Sequence, residues 1–170
     1  PDVTMVTPRA VWPRPSLPGS DGDNVVPALE ILSRQREVSG DAAVLGAGNV
    51  GCEVARFLDR RGVAVTVLEE GNRPGRGLDD GLTAVLLDGL RRRGVRFLTG
   101  VKVTAIGEDG VHYRDSEGNQ AALGVGTIIL APAPEPSAEL AAALQERGME
   151  VRSLPFCSEP RNARDAGLGG

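Results

Sequence analysis

Residues 42–45, Ala-Ala-Val-Leu, run directly into Gly46-Ala47-Gly48-Asn49-Val50-Gly51, which opens an amphipathic stretch and then a second apolar run, Val63 to Leu68, closed by Glu69 and Glu70. No other feature restricts the fold as tightly. Each glycine meets a separate steric demand: the first turns a strand into a helix, the second lets backbone amides approach a pyrophosphate, and the third lets helix and strand pack closely. The pattern therefore predicts strand, glycine turn, helix and parallel strand. Phosphates would rest on the helix N-terminus, where unpaired N–H groups and the helix dipole favour negative charge.

The glycines carry little by themselves, because the chain has 23 of them and Gly-rich turns recur by chance. Glu69 adds weight, since it stands 18 positions beyond Gly51, close to the spacing of roughly 20 at which a strand-end acid reads a ribose. A carboxylate there accepts hydrogen bonds from ribose hydroxyls and repels a 2′-phosphate, so NAD(H) is expected over NADP(H). Arg73 and Arg76, just beyond, soften that preference. The expected cofactor-binding residues are thus Gly46, Ala47, Gly48, Asn49, Val50, Gly51, Glu69 and Arg76. The competing reading is a βαβ turn that holds nothing.

At 170 residues the chain is long enough to bury a core, and its 41% hydrophobic and 25% charged shares are ordinary for a globule. It shows neither the roughly 20-residue apolar stretch of a membrane helix nor the pattern of a signal peptide, so a cytoplasmic protein is expected. A net charge of −4 gives nucleic-acid binding no support. Arg91-Arg92-Arg93 closes a predicted helix and reads as a solvated face that complements the dipole. Cys52 and Cys157 form no metal-ligand cluster, and Cys52 reads as a small packed side chain. His112, the one histidine, reads as an outward residue of a hairpin strand, so no hydrolytic triad and no catalytic residue are expected.

Six of the 12 prolines fall within residues 1–27, which reads as an extended connecting segment ahead of a dinucleotide-binding domain over residues 28–170. Apolar spacing predicts a short helix from Pro27 to Glu37, capped by Asn24 or Asp23. A strand from Asp41, the glycine-led helix, a strand at Val63–Leu68, a helix from about Asp79 to Arg93 and a strand at Val95–Leu98 follow. Strands alternating with helices imply a parallel sheet. The turns Gly107-Glu108-Asp109-Gly110 and Ser116-Glu117-Gly118-Asn119 then separate short alternating runs, as in an antiparallel meander. Thr127–Leu130 returns to the sheet, Ser137 caps a helix through Glu146, Gly148 stops it, and Val151–Leu154 is a last strand. The expected class is α/β, a Rossmann-like three-layer fold with a parallel sheet and an antiparallel β-meander crossover.

That crossover, with Pro13-Arg14-Pro15-Ser16-Leu17-Pro18-Gly19, Glu53 two places after Gly51, Pro74-Gly75-Arg76-Gly77-Leu78 and Cys157-Ser158-Glu159-Pro160-Arg161-Asn162-Ala163, resembles a known family along the whole chain. The resemblance is to the NAD(P)H-binding domain of the FAD/pyridine-nucleotide-dependent oxidoreductases. It is most similar to the C-terminal region of the group with 2,4-dienoyl-CoA reductase, trimethylamine dehydrogenase and histamine dehydrogenase. The resemblance implies that Glu53 faces the nicotinamide end of the cofactor, against a plain reading as an exposed first-turn acid favoured by the helix dipole. It also implies a partner domain or subunit bearing FAD, whose own binding half is absent here, so that the chain is a piece or remnant of a two-dinucleotide flavoprotein.

Three departures fall on the flavin side of that pattern. Met5-Val6-Thr7 is followed by Pro8-Arg9-Ala10 where the family carries an Ala-Thr-Gly-Ala turn, Ala131-Pro132-Ala133-Pro134-Glu135-Pro136 stands at a second glycine turn, and Pro155-Phe156 precede Cys157 where the family has Gly-Asp. Proline fixes φ and removes an N–H donor, which weakens backbone contact to a flavin phosphate. The leading expectation is an NAD(H)-binding domain that positions nicotinamide for hydride exchange with a flavin held elsewhere, without turnover alone. The alternatives are a vestigial module that holds ADP for structural reasons, and a regulatory Rossmann sensor attached to a transporter, which leaves the meander unexplained.

Overall fold

The computed structural model describes residues 3–7, 9–75 and 80–153. Contact density divides the chain into two units, residues 14–132 and residues 1–13 with 133–170. In chain order the elements are β1 (Thr4–Val6), β2 (Arg9–Val11), β3 (Val25–Pro27), α1 (Ala28–Leu32), β4 (Ala42–Leu45), α2 (Asn49–Asp59), β5 (Val65–Glu69) and α3 (Asp80–Arg92). Then come β6 (Arg96–Thr99), β7 (Lys102–Gly107), β8 (Gly110–Arg114), β9 (Gln120–Gly124), β10 (Thr127–Leu130), β11 (Glu135–Ser137), α4 (Glu139–Glu146) and β12 (Val151–Ser153).

In the larger unit five parallel strands lie in the order β3-β10-β4-β5-β6, and β7-β8-β9 form an antiparallel meander. Successive side chains of a strand point to opposite faces, and the buried residues sort accordingly. Ala42, Val44, Val65, Val67 and Ile129 pack with Ile31 of α1, Val54 and Leu58 of α2, and Leu87 and Leu90 of α3. Ala43, Leu68, Ile128 and Leu130 pack instead with Val101, Ile106 and Val111 on the meander side. Helices, parallel sheet and meander are three layers, as the sequence pattern predicts.

Tight turns hold the meander in register. Gly107 pairs with Gly110 across Glu108-Asp109, and a side chain at Gly110, whose φ is +145°, would run into the carbonyl of Leu123. Between β8 and β9 the Asp115 carboxylate accepts bonds from the backbone amides of Glu117 and Asn119 and from the Asn119 side chain. These donors, the Asn119 side chain foremost, hold its pKa below the ordinary value.

The smaller unit contains two short pairings. β1 lies parallel to β12, and β2 lies antiparallel to β11. Gly148, at φ +78°, ends the turn after α4 as its sequence position predicts. Ser137 Oγ accepts a long 3.4 Å bond from the Glu139 amide, while Ala138 occupies the cap position.

Some expectations need correction. Val25–Pro27, read as the end of a connecting segment, is an edge strand paired to β10. The helix expected to reach Glu37 stops at Leu32, because Arg34 adopts a left-handed φ of 60° and the amides of Gln35 and Arg36 turn back to the Glu30 carbonyl. Asn24 does not cap it: its side-chain amide donates to the carbonyls of Gly107 and Glu108, tying the start of β3 to the meander turn, and Pro27 takes the cap position.

Candidate functional site

The carboxyl ends of β4 and β5 converge on the glycine turn. Gly46 has a φ of +106°, and a Cβ there would lie 2.5 Å from the Ala131 carbonyl oxygen, so only glycine lets the turn pass beneath β10. A Cβ on Gly51 would fall onto the Gly46 carbonyl, which is the close helix–strand approach expected of the third glycine. Gly48 is the N-cap of α2 and offers no side-chain cap. The first turn of an eleven-residue helix, at Asn49, Val50 and Gly51, thus begins without a side-chain acceptor on its amides, the arrangement an anion completes.

Glu69, the last residue of β5, lies directly beside this turn. One carboxylate oxygen accepts the Ala47 amide at 2.8 Å and the other accepts the Gly71 amide at 2.8 Å. Its main-chain carbonyl takes the Val101 amide. Ala47 is fully buried, and its carbonyl accepts the Gly75 amide at 2.7 Å and the Cys52 thiol at 3.4 Å. Cys52 is buried as well, and its thiol pKa is pushed up to about 11, by burial first and then by the charges of Glu53 and Glu69. It is a packed thiol, in keeping with its reading from sequence.

Glu69 lines a cleft of about 360 Å³ whose floor is made by Leu45, Leu68 and Leu130 at the strand ends. Pro15, Ser16 and Leu17 form one wall, Val101 to Val103 another, and Gly46 and Pro132 meet at its edge. Lys102 stands 3.7 Å from Glu70 at the rim. The group is mostly apolar with convergent charge at one end, which suits an aromatic base attached to a sugar.

Of the residues expected from sequence, Gly46 and Glu69 line this cleft, Ala47 lies behind it, and Gly48 to Gly51 form the adjoining helix start. Glu53 sits one turn further along α2, 40% exposed, and pairs with Arg56 at 2.7 Å. Arg76 and the segment Cys157 to Ala163 lie outside the described residues. His112 is exposed on β8, and Arg92 and Arg93 pair with Asp88 and Asp59. Lys102 and the wall at Ser16 were not singled out as site residues. The first has no local signal, because only the β6–β7 connection brings it to the rim, while the second lies in the motif 13–19. Among the described residues no cluster of His, Cys, Asp or Glu is arranged to hold a metal, and no helix is long and apolar enough to cross a membrane.

Sheet order, glycine turn and strand-end acid define a Rossmann-like domain with nucleotide-binding features. The chain belongs to the pyridine nucleotide-disulphide oxidoreductase family, whose sequence profile matches residues 10–155. It is 30% identical over 159 residues to a bilirubin reductase of Mediterraneibacter gnavus, a match covering 94% of this chain and 25% of that protein. It is 27% identical over 159 residues to an NADH oxidase of Thermoanaerobacter brockii, covering 91% and 24% of the two chains. Among solved structures, a 2-naphthoyl-CoA reductase complex superposes with a TM-score of 0.82 over 94% of this chain and 24% of that one, and at 21% identity it shows the fold. The chain spans about a quarter of the length of the curated relatives it matches.

Proposed function

We propose that the chain is the NAD(H)-binding domain of a flavin-dependent oxidoreductase, positioning nicotinamide for hydride exchange with a flavin held outside this chain. The observation that carries this reading is the uncapped N-terminus of α2 standing next to a carboxylate that lines an apolar cleft. The donor set fits the group: amides at Asn49 to Gly51 for the pyrophosphate, Glu69 for the adenosine ribose, and a neutral turn that glycine keeps thin at Gly46. When bound, the dinucleotide supplies the hydride, and the protein's share is binding and orientation. Glu53 would face the nicotinamide end on leaving Arg56, an exchange that costs little because both groups are partly exposed.

The family match and the reductase and oxidase relatives support this reading, and motifs 13–19 and 157–163 favour a parent in the 2,4-dienoyl-CoA reductase, trimethylamine dehydrogenase and histamine dehydrogenase group. A second reading, a vestigial module that holds ADP, is favoured by Pro132 at the cleft edge, where the family pattern has a glycine turn. Calorimetric titration with ADP, NADH and NADPH separates the two. A gain in affinity for NADH over ADP supports hydride positioning, whereas equal affinities support the vestigial module. The absence of heat with all three ligands at high micromolar concentration refutes both.

A further inference from the structure

We infer that Glu69 is a positioning residue for the glycine turn, so that its carboxylate governs the grip on the pyrophosphate as well as contact with the ribose. This rests on the nucleotide reading above and deepens it. A strand-end acid that acted only through the sugar would need no bond to the protein. Here both oxygens are engaged by the protein's own backbone, one with Ala47 inside the motif and one with Gly71 in the following loop.

The consequences spread from Ala47. Its amide is buried between two glycines, and without Glu69 it would lose an acceptor in a place water does not reach. Its carbonyl anchors Gly75, where a side chain would run into Thr83 of α3, so the loop over residues 71–75 is fixed to the same residue. Gly100 in turn donates to the Gly71 carbonyl. One carboxylate therefore joins the turn after β4, the loop after β5 and the start of the meander. A carboxylate has about four acceptor positions, and the described residues use two, which leaves capacity for the ribose hydroxyls without releasing the turn.

The test compares the whole chain with its Glu69→Gln and Glu69→Ala variants against ADP and 2′,3′-dideoxy-ADP, which keeps both phosphates and lacks both ribose hydroxyls. Amide hydrogen exchange at Ala47 and Gly71 is followed without ligand. Loss of the acceptor from the buried Ala47 amide and the half-exposed Gly71 amide predicts faster exchange at both positions and about a tenfold weaker affinity for dideoxy-ADP as well as for ADP. Weaker ADP binding with dideoxy-ADP unchanged would overturn the inference, because Glu69 would then act only through the sugar. Unchanged exchange at Ala47 would overturn it too. If wild-type protein binds neither nucleotide, the proposed function fails, and the exchange arm alone decides whether Glu69 organises the turn. Should a variant not fold, slow exchange of the half-exposed Gly71 amide in the wild type still supports the bond, and rapid exchange contradicts it.

Discussion

Ala47 is held from both sides of its peptide units, and the residues around it tolerate little change. Gly51→Ala would place a methyl group on the Gly46 carbonyl oxygen, so helix and turn must part. A loss of about 1–3 kcal/mol is expected from such overpacking, read by urea unfolding, together with weaker ADP binding by calorimetry. Glu69→Arg should shift the preference between the two dinucleotides toward NADPH by removing the repulsive carboxylate. Affinity for both falls, because the Ala47 amide loses its acceptor. Cys52 supplies a pH prediction. Its folded pKa of about 11 lies above the ordinary value of 9.0, so the folded state holds the proton longer than the unfolded state. The corresponding stability, on the order of 2 kcal/mol, is fully present below pH 9 and disappears as pH rises through 11. Unfolding at pH 8 and at pH 11, compared with Cys52→Ala, measures it, and the native thiol should resist alkylation at pH 8. Arg34 offers the opposite sign: Arg34→Gly relieves its left-handed backbone and should raise stability by up to about 1 kcal/mol.

At the scale of elements, β10 joins the layers. Ile128 faces the meander core and Ile129 the helix core, both fully buried. Replacing either by Ala should cost about 2–5 kcal/mol. Hydrogen exchange should then report loosening in β7 and β8 for the first and in α2 for the second. The layered pattern was legible because near-continuous apolar runs mark β4 and β5 and helical apolar spacing marks α2 and α3, and because Gly107 and Gly110 mark a hairpin that backbone geometry demands. β3 was hidden in the proline-rich stretch, since three residues ending in Pro27 become a strand only through pairing with β10, some 100 positions away. Asn24 was misread for a related reason: its side chain serves a long-range bond to the meander turn, and local spacing describes only near neighbours. In the candidate site the glycines and Glu69 were readable from spacing. The bonds from Ala47 and Gly71 to Glu69 were not, because they depend on how β4 and β5 end side by side.

On the scale of the whole molecule, both buried cores and every residue of the cleft belong to the unit over residues 14–132. A chain trimmed to those residues should keep its cooperative unfolding and its ADP affinity, as thermal denaturation and calorimetry would show. The sheet order has a further consequence during synthesis. β10 inserts between β3 and β4 although it is made after all of β4 to β9. A ribosome adding about 5–20 residues per second therefore leaves both flanking edges bare for several seconds. Nascent chains halted short of residue 127 would present that open slot to chaperones, and arrival of Thr127–Leu130 is the event that closes it.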